Sequence, residues 1–229
     1  AIHQSAVTSY HNGRIPYHYN NSQTISQITL TPDIMGAGKN VPWKTFAEFK
    51  KGVLAAPGII TVGATFGSTS QFNWLILESL TGMKFKFVPY DGTADRMTAL
   101  LSGAVMLGGL NVASGKKHLQ SGALKGFAIA ANKRSKTFPD MPTLKELGVD
   151  MIYTLDRGIV APKGTPRAIV DYWADVFKTA AASPEFTKAM DAKDTGVGYL
   201  GPDDYRKWAD KMYKDHETIA IKIGMWKKK

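Results

Sequence analysis

The stretch Ile59-Ile60-Thr61-Val62-Gly63-Ala64-Thr65-Phe66-Gly67-Ser68-Thr69-Ser70-Gln71-Phe72-Asn73-Trp74-Leu75-Ile76-Leu77-Glu78-Ser79-Leu80 decides how this chain is built. Its first five residues form a short apolar, β-branched run of the kind that fits a strand. A loop of small residues, Ala64 to Ser70, comes next, and the text turns helical from about Phe72 to Leu80. Moving outward, Phe85 to Val88 reads as a second strand, Thr93 to Leu101 as a helix, and Lys125 to Ala130 as a third strand. Strands that alternate with helices imply an α/β sheet flanked by helices.

The flanks carry their own signals. The first forty residues are rich in Asn, Ser, Thr, Tyr and Gly, with a strand candidate at Ile25 to Leu30 that Pro32 is expected to close. Thr45, with Glu48 three residues on, predicts a capping box at a helix start. A short helix is expected from Thr143, after the loop containing Pro139 and Pro142. Gly158 to Pro166 reads as strand then turn, with Thr165 expected as an N-cap and Pro166 as the first helical residue. Arg167 to Ala182 places Ile169, Tyr172, Trp173, Val176, Phe177 and Ala180 on one helical face, predicted to be core. Trp173, Tyr205, Trp208 and Tyr213 are likewise expected inside, whereas Trp74 and Phe66 suit either packing or ligand contact. Asp203 and Asp204, after Gly201-Pro202, suit an N-cap and a first helical turn.

Composition narrows the function. The 229 residues carry a formal charge of +10, with 44% apolar and 21% charged residues, which is ordinary for a folded chain and favours anionic partners. The basic residues are dispersed except at Lys227, Lys228 and Lys229, and none form a run interleaved with aromatics as single-strand nucleic-acid binders require. No cysteine is present, which removes disulfides, thiolate metal sites and cysteine nucleophiles together. No apolar run approaches the ~20 residues of a membrane span. Residues 1–7 show neither a basic nor an apolar signal region, so a signal peptide is expected only in a longer precursor.

Catalytic signatures are missing: there is no Gly-x-Ser-x-Gly, no His-Glu-x-x-His and no Gly-x-Gly-x-x-Gly. Gly109 to Gly115-Lys116 fails as a phosphate loop, because one residue too many separates the glycines and Lys117 stands where Ser or Thr would hold magnesium. The five histidines, at 3, 11, 18, 118 and 216, lack ligand spacing, so neither a metal nor a cofactor is expected.

Several segments then line up in order. Val88-Pro89-Tyr90-Asp91-Gly92, Leu101-Ser102-Gly103-Ala104-Val105, Gly122 to Ala128, Lys133-Arg134 with Phe138-Pro139-Asp140-Met141-Pro142-Thr143-Leu144-Lys145-Glu146-Leu147-Gly148, and Ala161-Pro162-Lys163-Gly164-Thr165-Pro166 resemble the substrate-binding proteins of tripartite tricarboxylate transporters. The resemblance runs from about Thr45 to the C-terminus. It implies a periplasmic, monomeric receptor of the type II Venus-flytrap kind, with two α/β lobes that close on a small carboxylate, a di- or tricarboxylate or an aromatic carboxylate, and deliver it to membrane permease subunits. It assigns residues 1–38 and 151–229 to a first lobe and 39–150 to a second, with Gly36, Gly38 and Gly158 suited to the crossings. The family's glycine-rich, Asp-containing first loop has no match here, so the first lobe is expected to lack its N-terminal portion. Met106 replaces the family's usual Asp, and Phe66 interrupts a loop that is mostly Gly and Ser in relatives.

The expected ligand-binding set is Gly63, Thr65, Phe66, Gly67, Ser68, Thr69, Tyr90, Asn111 and Arg157. Within it, a strand ending at Gly63 and a helix beginning near Ser70 should present the backbone N–H groups of Gly67, Ser68 and Thr69 to an anion. Val88 to Gly92 should end a strand with Tyr90 facing the ligand. Two other readings compete: an α/β enzyme acting on a small anionic substrate with Asp91 or Asp95 as base, and a nucleic-acid binder using dispersed Lys and Arg.

Overall fold

The computed structural model describes residues 1–226, so the basic cluster at Lys227 to Lys229 lies outside the described residues. In chain order the elements are β1 (Ile2–His3), α1 (Ser5–His11), β2 (Ser22–Gly38), α2 (Phe46–Ala55), β3 (Thr61–Ala64), α3 (Thr69–Thr81), β4 (Lys86–Pro89) and α4 (Thr93–Ser102). There follow β5 (Leu107–Asn111), α5 (Val112–Gln120), β6 (Leu124–Ile129), β7 (Thr154–Pro162), α6 (Arg167–Ala182), α7 (Pro184–Asp191), β8 (Gly196–Leu200) and α8 (Pro202–Lys222). The chain divides into two compact units, one of residues 1–31 and 155–229, the other of residues 32–154.

In the second unit the sheet runs β6-β2-β5-β3-β4. β3 is parallel to both β4 and β5, whereas β2 is antiparallel to β5 and β6. The local signals behind this unit are visible in its caps. Thr45 accepts from the Glu48 N–H at 3.2 Å while the Glu48 carboxylate takes back the Thr45 N–H, the reciprocal box that starts α2. Gly82 and Gly103, at φ of 76° and 80°, end α3 and α4 in the left-handed region where a Cβ is disfavoured. One part of the core joins Ile34, Leu100, Val105, Leu110, Leu124 and Ile129. Another is aromatic: Phe49 stacks on Phe127 at 5.0 Å, and Trp74, fully buried, meets Phe85 edge-on at 5.2 Å. Trp74 is therefore a packing residue.

In the first unit the order is β1-β7-β2-β8, and β1–β7 and β2–β8 pair antiparallel. Tyr205 is buried against Tyr19 at 5.8 Å, with a hydroxyl-to-hydroxyl hydrogen bond of 3.2 Å, and Trp208 stacks on Tyr205. α1 packs on α8 through Tyr10, His11 and Tyr213, and His18, beyond α1, stacks on Tyr213.

Five sequence expectations need correction. Pro32 does not close the strand, because β2 continues to Gly38; the proline falls between Leu30, paired to β8, and Asp33, paired to β5, so no bond of those ladders is lost. Thr143 starts a single turn rather than a helix: it exchanges hydrogen bonds with Glu146, and Gly148 at φ 78° stops the chain after that turn. Thr165 is not an N-cap; its hydroxyl donates to the Pro162 carbonyl at 2.8 Å, and Pro166 holds the cap position. Gly201, not an aspartate, caps α8, with Asp203 and Asp204 in its first turn.

The last correction concerns α6. Its buried face is Val170, Ala174 and Ala181, packed with Phe177 against Ile25 and Ile159. Ile169, Tyr172, Trp173 and Val176 are instead exposed, Tyr172 by 64%.

Gly36 and Gly158 owe their identity to packing rather than to unusual φ. A Cβ on Gly36 would fall 2.5 Å from Leu110 Cδ1, and one on Gly158 would fall 2.4 Å from the Tyr205 hydroxyl and 2.7 Å from the Ser26 carbonyl.

Candidate functional site

Because β3, β4 and β5 are parallel, the helices that follow them all begin at one edge of the second unit's sheet. In open α/β sheets that carboxyl edge is where ligands bind. Three short loops meet there: residues 65–68, 90–92, and the junction at Asn111. Three helix N-termini add partial positive charge to the same edge.

The β3–α3 loop is tightly organised by its own small side chains. Ser68 caps α3, its Oγ accepting the Ser70 N–H at 3.2 Å and donating to the Thr65 carbonyl at 2.7 Å. The Thr65 N–H donates to Ser70 Oγ at 3.0 Å. Gly67, at φ 69°, supplies the left-handed bend. The expectation that three consecutive amides face an anion is corrected here. The Gly67 N–H donates to Gln71 Oε1 at 2.7 Å and the Ser68 N–H to the Thr65 carbonyl at 3.1 Å, which leaves Thr69 among the three. The buried Gln71 side chain intercepts the loop from inside.

Tyr90 ends β4, its N–H bonded to the Ala64 carbonyl at 2.9 Å. Its ring lies over Gly63, where a Cβ would come within 3.2 Å of Tyr90 Cε2 and 3.3 Å of Arg96 Cγ. With Val105 Cγ2 also at 3.2 Å, three side chains crowd Gly63, and a Cβ there would need each to give by a few tenths of an ångström. Asn111 caps α5, accepting the Ser114 N–H at 2.9 Å while Ser114 Oγ accepts the Asn111 N–H at 3.3 Å. Its side-chain oxygen is engaged in capping. Phe66 is 37% exposed on the loop.

Gly63, Thr65, Phe66, Gly67, Ser68, Thr69 and Tyr90 are therefore brought together, with Asn111 on the same edge. Arg157 is not in this unit: it lies on β7, where its guanidinium donates to Thr31 Oγ1 at 2.9 Å and to the Leu155 carbonyl at 3.4 Å. It borders an apolar cavity of about 340 Å³ lined by Ile28, Ile159, Phe177 and Phe186.

The residue that sequence reasoning missed is Arg96. It is 6% exposed, on the inner face of α4 with Ala99 and Leu100. Its Nε donates to the Gly109 carbonyl at 3.1 Å, and its terminal nitrogens reach Thr65 Oγ1, Ser70 Oγ and the Gly92 carbonyl at 3.4 Å and Thr93 Oγ1 at 3.3 Å. Burial lowers its pKa, and the Asp33 charge opposes that shift. Asp33, itself buried, accepts from Asn73 at 2.9 Å. The available signal was a lone arginine at the i position of an i, i+3, i+4 apolar stripe. Among the described residues no cluster of His, Cys, Asp and Glu could hold a metal ion, and no helix is long and apolar enough to cross a membrane.

A family model described as the tripartite tricarboxylate transporter family receptor matches residues 2–225. A protein of the gbd 5′ region of Cupriavidus necator is 34% identical over 189 residues, covering 81% of this chain and 57% of its own length. The chain spans about half the length of the curated relatives it matches. The periplasmic binding protein BugD superposes with a TM-score of 0.83 at 24% identity, over 99% of this chain and 78% of its own. MatC from Rhodopseudomonas palustris, solved with bound malate, superposes with a TM-score of 0.79 at 24% identity, over 94% and 74%. The fold is thus α/β and periplasmic-binding-protein-like.

Proposed function

Because this chain belongs to the tripartite tricarboxylate transporter receptor family, we propose that it captures a small organic carboxylate in the periplasm for delivery to the permease subunits of such a transporter. The family is one of receptors, so the alternative of an enzyme using Asp91 or Asp95 falls away. Both aspartates are exposed. The observation that carries the carboxylate reading is the convergence of three helix N-termini and a buried arginine on one sheet edge, which gathers positive groups there. The malate held by the structurally similar MatC supports a di- or tricarboxylate in particular. The hydroxyls of Thr65 and Thr69 and the Thr69 amide supply donors, and the exposed Phe66 and half-buried Tyr90 bound the apolar part of the ligand.

A backbone-amide NMR titration of the 229-residue chain with malate and citrate tests this and registers even millimolar binding. The amides of 65–69 and 92–93 should shift together and saturate, and the malate should be recovered unchanged. Absence of saturable shifts in that loop, or conversion of the malate, would sink the proposal.

A further inference from the structure

Arg96 makes five hydrogen bonds: to Thr65 and Gly92 in the loops after β3 and β4, to Ser70 and Thr93 in the first turns of α3 and α4, and to Gly109 within β5. Every acceptor is a neutral oxygen. Four of the bonds are 3.3 to 3.4 Å long, whereas a guanidinium paired with an anion closes to about 2.7–2.9 Å. Arg96 takes part in none of the ion pairs found among the described residues. A buried cation beside three helix N-termini of the same sign is held at a cost unless a negative charge comes to it. Asp33 offsets that cost only in part: burial outweighs its charge, and the Arg96 pKa stays lowered.

We propose that Arg96 is the charge-selecting, positioning residue of this site: it ties the β3–α3 and β4–α4 loops to β5 in one rigid cradle and leaves a positive charge, only partly neutralised, beneath it, so the site takes a carboxylate and rejects its neutral amide. The inference rests on the carboxylate-receptor reading. The hydroxyl orientations follow from the same bonds. Thr65 Oγ1 and Ser70 Oγ accept from the guanidinium, so their own protons turn away from it. Ser70 Oγ lies 2.9 Å from Ser68 Oγ, which takes up that proton, its own being given to the Thr65 carbonyl. The Thr65 proton is left to donate to the ligand. A carboxylate accepts it and gains from the charge behind it; an amide gains no such attraction and brings an NH2 group against donors.

The experiment compares malate with its diamide by the same NMR titration, on the wild-type chain, Arg96→Gln and Arg96→Lys. The preference for malate should fall about tenfold or more in Arg96→Gln, the scale of one unit charge at short range in a partly desolvated site. In Arg96→Lys the preference should persist while both ligands bind more weakly, since an ammonium keeps the charge but cannot span the two loops and β5. Equal weakening of malate and diamide in Arg96→Gln would reduce Arg96 to fold support and overturn the proposal. Should Arg96→Gln not fold, Thr93→Glu decides. Thr93 is exposed and already touches the guanidinium, so a carboxylate there neutralises Arg96 in place at a helix start that favours acids. Malate should then weaken about tenfold with the diamide unchanged, and unchanged malate affinity overturns the proposal. Failure of the wild-type chain to bind any carboxylate is a different result: it removes the receptor reading, and this inference with it.

Discussion

Ser68 shows how much rests on single residues at this edge. Its extended backbone and its hydroxyl, bonded to the Ser70 N–H, make it the N-cap of α3. Aspartate caps helices as well as serine does, so Ser68→Asp should keep the fold and melt within a few degrees of wild type. Its charge would stand against an incoming carboxylate, and malate affinity should drop at least several-fold by calorimetry. Unchanged affinity would remove the loop from the site. The small-residue loop was legible in the sequence because strand, loop and helix follow one another within twenty residues. That Gln71 takes the Gly67 amide was not, since it depends on how a glutamine one turn into α3 folds back on its own loop.

Among the elements, α6 separates pattern from packing. Its sequence holds two apolar stripes, and the one with Val170, Ala174 and Phe177 joins a core cluster while the other stays largely exposed. Periodicity identifies a helix but cannot say which of two apolar faces finds a partner. Trp173→Gln, on the exposed stripe, should change stability by no more than about 0.5 kcal/mol. Val170→Asn, which buries an amide with no partner at a site 0% exposed, should cost about 3 kcal/mol. Urea titration of the two variants checks the contrast, and equal costs would assign the wrong face. α2 is the opposite case, where the reciprocal bonds of Thr45 and Glu48 were readable from four letters because a capping box is wholly local.

At the scale of the whole molecule, acid should attack the first unit. Four of the five histidines, at 3, 11, 18 and 216, lie there, and burial lowers the pKa of each, to about 4 for His11 and His216. The Tyr213 carbonyl against His11 and the Met212 carbonyl against His216 only partly oppose this; Arg206 depresses His18 while Asp210 and Glu217 raise it. A folded pKa below the unfolded one means the unfolded chain binds more protons between about pH 6.5 and 4. Stability is therefore complete above about pH 6.5 and is lost as pH falls towards 4, with His216 alone contributing on the order of 3 kcal/mol. Denaturant midpoints from pH 7 to 4 should decline along that window, and His216→Gln should flatten the slope. A midpoint independent of pH across it would contradict the packing of α1 against α8.

The sequence by itself determined the class of fold, the strand-loop-helix unit at residues 59 to 80, the capping box of α2 and the likeness to a receptor family, because each is written in contiguous residues. Tertiary structure alone decided which apolar face of α6 is buried, where β2 ends, which loop amides remain free, and that Arg96 lies beneath the loop. Those outcomes depend on what a residue meets far along the chain: Arg96 reaches Thr65, Ser70 and Gly109, and no pattern within α4 records contacts made across a sheet edge.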